Sequence, residues 1–326
     1  MALGMQPADW VSFLEHTYLA GFIVGGGSSI KFGVPLGDES RRETFDQLDR
    51  VASSHGCLSV RVDASITRFH MIDQVFFAMA RQIPWQWLAG NYLLDQARQE
   101  GYRIPADLGE SLLRGLAAEN DTDADMLLTE LRGRLSRTVY RDRSMAKDFR
   151  VAMMQLCIAE LLGGEEGAAR RTAVIEWITG ENRRIGAVKP YGIFSRISRN
   201  NARFLIESLF SWVRSAGCNG TIALLDTAQL TVPKRPESGV FYTKAALLDS
   251  YEVLRQFIDS TDRLDGALIV VAPSPEFLDL EAGSRGMGAY EALKFRVYDE
   301  VRDRRLVNPM ASLMRLDSQF ERVSFG

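Results

Sequence analysis

Cysteine is scarce in this sequence: only Cys57, Cys157 and Cys218 occur in 326 residues, far apart and flanked by apolar neighbours. An odd, scattered set excludes a disulfide framework, and no CxxC or CxxH spacing offers a zinc site. The three are expected to be small buried hydrophobes. Histidine is equally rare, and His16, His55 and His70 form no metal-binding spacing with them. No apolar run approaches the roughly 20 residues of a membrane span. No basic stretch followed by an apolar run and a small-residue cleavage site opens the chain, so a cytoplasmic location without membrane contact is expected. Charge of one sign is not in excess either: the formal net charge is -3 and the pI near 5.8, so nucleic-acid binding would require a local patch. Internal repeats, low-complexity tracts and the GxSxG, HExxH and kinase-type motifs are all missing.

What remains is ordinary globular composition, with 46% hydrophobic, 25% charged and 10% aromatic residues. The length suits one large domain or two average ones. Residues 6–19 place Trp10, Phe13, Leu14 and Tyr18 at helical spacing behind Pro7. Ile30, Phe32 and Val34 then alternate like a strand, and a Pro-Leu-Gly-Asp turn follows. Phe45, Leu48 and Val51–Ala52 predict a helix ending at Gly56, and CLSVRV a second strand. This is a βαβ unit whose strands should lie parallel. From residue 63 to 180 every apolar pattern is helical, with breaks expected at ENDTDAD and GGEEG. The α/β pattern returns with the helix ARFLIESLFSWVRSAG, the strand TIALLD, the helix YTKAALLDSYEVLRQFID and the strand ALIVVAP. The helix EALKFRVYDEVRD and the strand ASLMRL close it. TIALLD and ALIVVAP are continuously apolar, as central parallel strands buried on both faces require. The expectation is a three-layer α/β core formed by residues 1–62 and 181–326, with an all-helical insertion over 63–180.

The turn after the first strand stands where a nucleotide-binding phosphate loop would stand. Such a loop reads GxxxxGK[ST]: glycines turn backbone N–H groups toward the phosphates, lysine reaches the β/γ-phosphates and the hydroxyl holds magnesium. Here the residues are GVPLGDESRRET. Gly37 is the one glycine left within the turn, Asp38 and Glu39 bring negative charge, and Arg41–Arg42 occupy the places of Lys and Ser/Thr. A planar guanidinium replaces neither an ammonium point charge nor a magnesium-binding hydroxyl. A second acidic motif would end in Asp-Glu, but TIALLD ends in Asp226 followed by Thr227, which cannot accept a proton near neutral pH.

These segments resemble the ATP-binding P-loop proteins of bacterial BREX-type phage-defence operons. GGGSSIKFGV is similar to the GGGS-x-x-KF-V segment before that family's phosphate loop. WITGENRRIGAVKPYGIFSRISRNNARFLIESLFSWVRSAGCNGTIALLD is similar to its approach to the second acidic motif. YTKAALLDSYEVLRQFID, GALIVVAPSPEFLD and YEALKFRV resemble its downstream helix, sensor-type strand and arginine-bearing helix. The likeness touches residues of about 10–60 and 175–316. It implies a P-loop NTPase-like (ASCE/AAA-related) parallel sheet, and places Arg296 where a sensor or finger arginine lies. The family's GSGKT and the glutamate after the strand aspartate are missing, so of its ATP-binding residues only Asp226 carries over, as a vestige.

Two stretches are locally basic. Residues 131–150 carry Arg132, Arg134, Arg137, Arg141, Arg143, Lys147 and Arg150 against Asp142 and Asp148. The second carries Arg183, Arg184, Lys189, Arg196, Arg199 and Arg203 against Glu181. With Tyr140, Tyr191 and Phe194 interleaved, these are candidates for nucleic-acid or partner contact, principally Arg137, Arg141, Arg183, Arg184, Arg196 and Arg199, set against the plainer reading of solvated helix faces. Phe76, Phe77, Trp85, Trp87 and Tyr92 are expected in a core, with a partner groove as the alternative. The leading expectation is a pseudo-ATPase serving as a regulatory or assembly subunit of an anti-phage defence complex, partnered by an intact P-loop homologue or another subunit. Its residual nucleotide site would comprise Gly37, Arg41, Arg42 and Asp226. No catalytic residue, metal or cofactor is expected, ATP with magnesium binding only if the altered loop works in an unorthodox way. The alternatives are an atypical ATPase or nucleotide-dependent switch, and a DNA-binding module.

Overall fold

The computed structural model describes residues 4–106, 111–298 and 308–317. They form two compact units, one of residues 1–79 with 218–326 and the other of residues 80–217. The sequence pattern changes near 63 and 180, whereas the contacts divide at 79/80 and 217/218. The helix before the strand TIALLD therefore belongs with the helical unit.

The first unit begins with β1 (Gly4–Met5), α1 (Pro7–Leu14), β2 (Ser29–Pro35), α2 (Asp38–Ser54), β3 (Leu58–Asp63) and α3 (Ile72–Ala80). Beyond Leu14 the first helix continues with π geometry over Glu15–Ile23. Its buried residues Leu14, Tyr18, Leu19 and Ile23 recur at four to five positions, a spacing too wide for 3.6 residues per turn. A π turn, closing i→i+5, keeps them on one face.

The helical unit holds α4 (Trp85–Gln99), α5 (Leu112–Glu119), α6 (Ala124–Leu135), α7 (Lys147–Leu162), α8 (Gly164–Thr179) and α9 (Arg199–Ser215). Part of the helix expected at 108–119 falls on residues outside those described. α7 packs against α4, α5, α6 and α8 and is apolar nearly all round, as a central helix must be. The Trp85 ring meets Phe149 edge-on, 6.2 Å between centroids, and Tyr92 lies 4.9 Å from Trp212. Of the aromatic set expected in a core, Trp85, Tyr92, Phe76 and Phe77 are buried while Trp87 is half exposed. ENDTDAD is a turn in which Asp123 caps α6 by accepting from the Asp125 and Met126 N–H groups. Gly163, at φ 63°, breaks α7 from α8.

The chain returns to the first unit with β4 (Thr221–Asp226), α10 (Lys244–Asp259), β5 (Ala267–Ala272), α11 (Glu291–Val297) and β6 (Leu313–Leu316). The continuation of α11 expected through residue 303 lies outside the described residues beyond Tyr298. Six strands make one sheet in the order β1-β6-β2-β5-β4-β3, every pairing parallel. β2 and β3 are parallel as the βαβ pattern requires, but β5 and β4 lie between them. On one face α1, its π extension and α2 cover Ile222, Leu224, Leu268, Val270 and Met314. The other is covered around Phe277, which stacks on Phe32 of β2 at 5.8 Å and meets Tyr251 of α10 edge-on. Gly33 is required here: a Cβ would stand 2.5 Å from the Trp10 ring, which lies directly on the β2 backbone. The GGGS-x-x-KF segment serves this sheet. Ser28 Oγ donates to the Leu264 carbonyl and accepts from the Ala267 N–H, while the buried Lys31 ammonium donates to the Met310 carbonyl at 2.8 Å.

Candidate functional site at the strand ends

Because all strands run parallel, β2, β3, β4 and β5 end on one edge of the sheet, the edge at which open α/β sheets bind ligands. The connection between β2 and α2 is only Leu36 and Gly37. Gly37 has extended backbone, φ -161°, and a Cβ there would meet nothing, so neither conformation nor space calls for glycine. No side chain caps α2; Asp38 and Glu39 stand in its first turn, where the unpaired N–H groups attract negative charge.

Arg41 and Asp226 are brought together; Arg42 is not brought to them. Arg41 is 4% exposed and lies one turn into α2. Its guanidinium pairs with Asp38 through Nη1, and its Nε stands 3.6 Å from Asp226 Oδ1 at the end of β4. Arg42, one position round the helix, is exposed. Asp226 also accepts the Ala228 N–H at 3.1 Å. Burial pushes the Asp226 carboxyl above the ordinary carboxylate range, with Arg41 and the Ala228 N–H opposing and Asp63 and Asp38 adding to the rise.

Sequence reasoning missed Asp63, Glu276, Ser274 and Thr231 at this edge. Asp63 is opposite Asp226 in the β3–β4 register, a juxtaposition that only strand pairing reveals. Glu276, after β5, is held below the usual range by Ser274 and its own backbone N–H, with Arg41 contributing. Ser274 in turn shares a 2.6 Å hydrogen bond with Thr231. Thr227, where a glutamate would polarise water, is 1% exposed, and its hydroxyl is buried without a partner among the described residues.

The loops leaving this edge are clamped by two further residues that no motif singled out. The Tyr242 hydroxyl stands 2.8 and 2.6 Å from the Ala64 and Thr67 carbonyls, its single proton serving one or shared between them, and accepts the Phe69 N–H; burial pushes its phenol up to about 12. Arg285 donates to the carbonyls of Thr231, Leu230 and Tyr242. Arg296 pairs with Asp259 at 2.5 Å and donates to the Ala292 carbonyl. Among the described residues no three His, Cys, Asp or Glu side chains converge as a metal site, and no helix is long and apolar enough to cross a membrane.

In the helical unit Arg137 and Arg141 are exposed at the end of the helix that begins with α6. Arg183, Arg184 and Arg196 are exposed between α8 and α9, and Arg199 opens α9. Of these six only Arg141 lines the basic cleft formed with Tyr140, Arg143, Lys147 and Arg150.

The class defined by fold and site is an α/β protein with a six-stranded parallel sheet and a charged cluster at its strand ends. Residues 111–324, about two-thirds of the chain, match the family described as BREX system ATP-binding protein BrxC/D, and the chain belongs to that family. It is thereby a component of a phage-defence system. The match takes in part of the helical unit, β4 and β5; the first 110 residues, with β2 and the turn into α2, lie outside it. No curated protein and no solved structure matches the chain.

Proposed function

We propose that this chain is a P-loop-type homologue whose nucleotide site has been replaced by a fixed internal charge cluster. It acts as a regulatory or assembly subunit of the defence complex rather than as an ATPase. One observation carries the reading: Arg41 is buried between Asp38 and Asp226 behind a connection of only two residues. A phosphate cradle needs several consecutive backbone N–H groups around the anion, which Leu36 and Gly37 do not supply. Any triphosphate at the start of α2 would meet Asp38 and Glu39, and its cation partner is already engaged. Thr227 offers no general base.

The topology supports the P-loop part of this reading. The strand leading into α2 and the strand ending in Asp226 are separated by β5 alone, and both end on the same edge. A subunit without turnover contributes through its surfaces, and an intact P-loop homologue or another defence subunit is the natural partner. Calorimetry with ATP and with ADP, each with magnesium, on the wild type and on Arg41→Ala/Asp226→Ala tests the proposal. We expect no heat of binding to either protein at millimolar nucleotide. Micromolar binding by the wild type, lost in the double variant, would overturn it and make the cluster an unorthodox nucleotide site.

A further inference from the structure

Most arginines of the helical unit with low exposure have a carboxylate partner. Arg134 pairs with Glu100 at 2.7 Å, Arg170 with Glu166 at 2.9 Å, Arg171 with Glu160 at 2.6 Å and Arg203 with Glu207 at 3.4 Å. The segment joining α6 to α7 departs from this. Arg141, Arg143, Lys147 and Arg150 line one cleft of about 500 Å³ together with Tyr140, and none of the four makes an ion pair among the described residues. The two acids nearby are engaged with neutral donors. Asp142 accepts from the Ser144 N–H and hydroxyl, at 2.9 and 2.6 Å, and Asp148 accepts the Ser195 N–H at 2.8 Å. Four cations thus stand against two nearby carboxylates that are paired with none of them, which leaves the cleft an excess of positive charge in a chain whose net charge is -3.

Its aromatic member is fixed in place. Past Leu135 the helix of α6 widens into π geometry over Ser136–Tyr140, a distortion common at functional sites. Tyr140 ends this turn and is 42% exposed. The Arg150 guanidinium lies 6.0 Å from the ring centroid and donates to the Tyr140 carbonyl at 3.0 Å, so one arginine braces the ring while Arg141, Arg143 and Lys147 remain exposed. Arg150 Nε is buried without a hydrogen-bond partner among the described residues.

We propose that this cleft binds single-stranded nucleic acid, with Arg141, Arg143 and Lys147 on the phosphates and Tyr140 stacked on an unpaired base. Cations track the phosphodiester backbone and an aromatic face takes any base, the two components of sequence-tolerant single-strand binding. A duplex uses the cations but leaves the ring idle, since its bases are already stacked. An acidic protein segment uses the charge but offers Tyr140 a ring only where an aromatic residue falls in register, whereas every nucleotide carries one. This inference stands apart from the strand-end reading, since no residue is shared.

Fluorescence anisotropy of the full chain with a labelled 20-nucleotide oligothymidylate tests it. We expect affinity to fall with salt with a log–log slope of about -2 to -3, corresponding to three or four phosphate contacts. Arg141→Ala/Arg143→Ala should weaken binding at least about tenfold and make the slope shallower. Tyr140→Leu should weaken it about tenfold with the slope unchanged, a signature of stacking rather than charge. The substituted side chains are exposed, and unchanged circular dichroism and melting confirm a folded chain. The proposal is overturned by absence of binding, by binding the variants do not alter, or by duplex DNA or poly-glutamate competing as well as the single strand.

Discussion

Arginine plays opposite parts in the two units. At the strand ends Arg41 is buried, shared between Asp38 and Asp226, and surrounded by further carboxylates. In the cleft after α6, Arg141 and Arg143 are exposed and have no carboxylate partner among the described residues. The first arrangement is closed: removing either partner leaves a charge stranded where water is limited. The second is open, and its charge is available to an anion that the protein does not provide. At the place of a binding loop the arginine is already engaged by carboxylates, whereas the cations of the cleft in the helical unit make no ion pair among the described residues.

The largest effect should come from breaking the closed site. Arg41→Ala leaves Asp226 half-buried beside Asp63 with no cation. Breaking a fully buried pair costs about 3–5 kcal/mol. The Asp226 side chain keeps 30% exposure, so we expect a loss of about 2 kcal/mol in urea denaturation. Arg41→Met/Asp226→Leu removes both charges and should recover at least half of that loss, since apolar replacement of an ion pair is often close to neutral. A single variant within about 0.5 kcal/mol of wild type would show that Arg41 is a solvated surface charge in practice, and the contrast would collapse.

A smaller effect should appear in the pH dependence. The Asp226 carboxyl is raised by burial despite Arg41. Its protonated form is thus favoured by folding: the contribution is fully present below the unfolded value of about 3.9 and is lost as pH rises through the folded one. Asp226→Asn does not titrate. Its melting temperature relative to wild type should therefore climb as pH rises from about 4 and level off once the folded-state carboxyl has ionised. A difference that stays flat, or runs the other way, would mean that Arg41 outweighs burial at this carboxylate.

Much of the fold was legible because its signals are local. TIALLD and ALIVVAP announce buried parallel strands by continuous apolarity, and both are central in the sheet. β1, only Gly4–Met5, has no periodicity to read and exists through its pairing with β6. α9 was legible as a helix, but its membership in the helical unit depends on contacts such as Tyr92 with Trp212 and Ala146 N–H with Ser208, which no spacing encodes. At the strand ends the sequence pointed to Arg41 and Asp226 as residues of one site. It did not reveal that they neutralise each other, or that Asp63 is in register with Asp226, because both facts arise from strand order. Tyr242 and Arg285 escaped notice for a related reason: each acts on backbone carbonyls of distant loops, and a carbonyl leaves no mark in a sequence. The basic run at 131–150 was visible as composition. Which of its charges are paired was not, and Arg134, bound to Glu100, differs from Arg141 only through tertiary structure.

The smallest expected effect sharpens the comparison from its other side. Arg141→Ala/Arg143→Ala removes two cations that make no ion pair among the described residues, so nothing inside the protein is left unsatisfied. The change in stability should lie within about 0.5 kcal/mol, the range of surface substitutions away from structural features. Its sign is informative. Clustered like charges repel, so relieving the repulsion should leave the variant equal to or slightly more stable than wild type at low salt, the difference fading as salt screens it. A stability loss comparable with that of Arg41→Ala would mean that these arginines hold the α6–α7 connection together. The cleft would then be a structural joint, and its positive charge a by-product of packing rather than a surface kept open for a ligand.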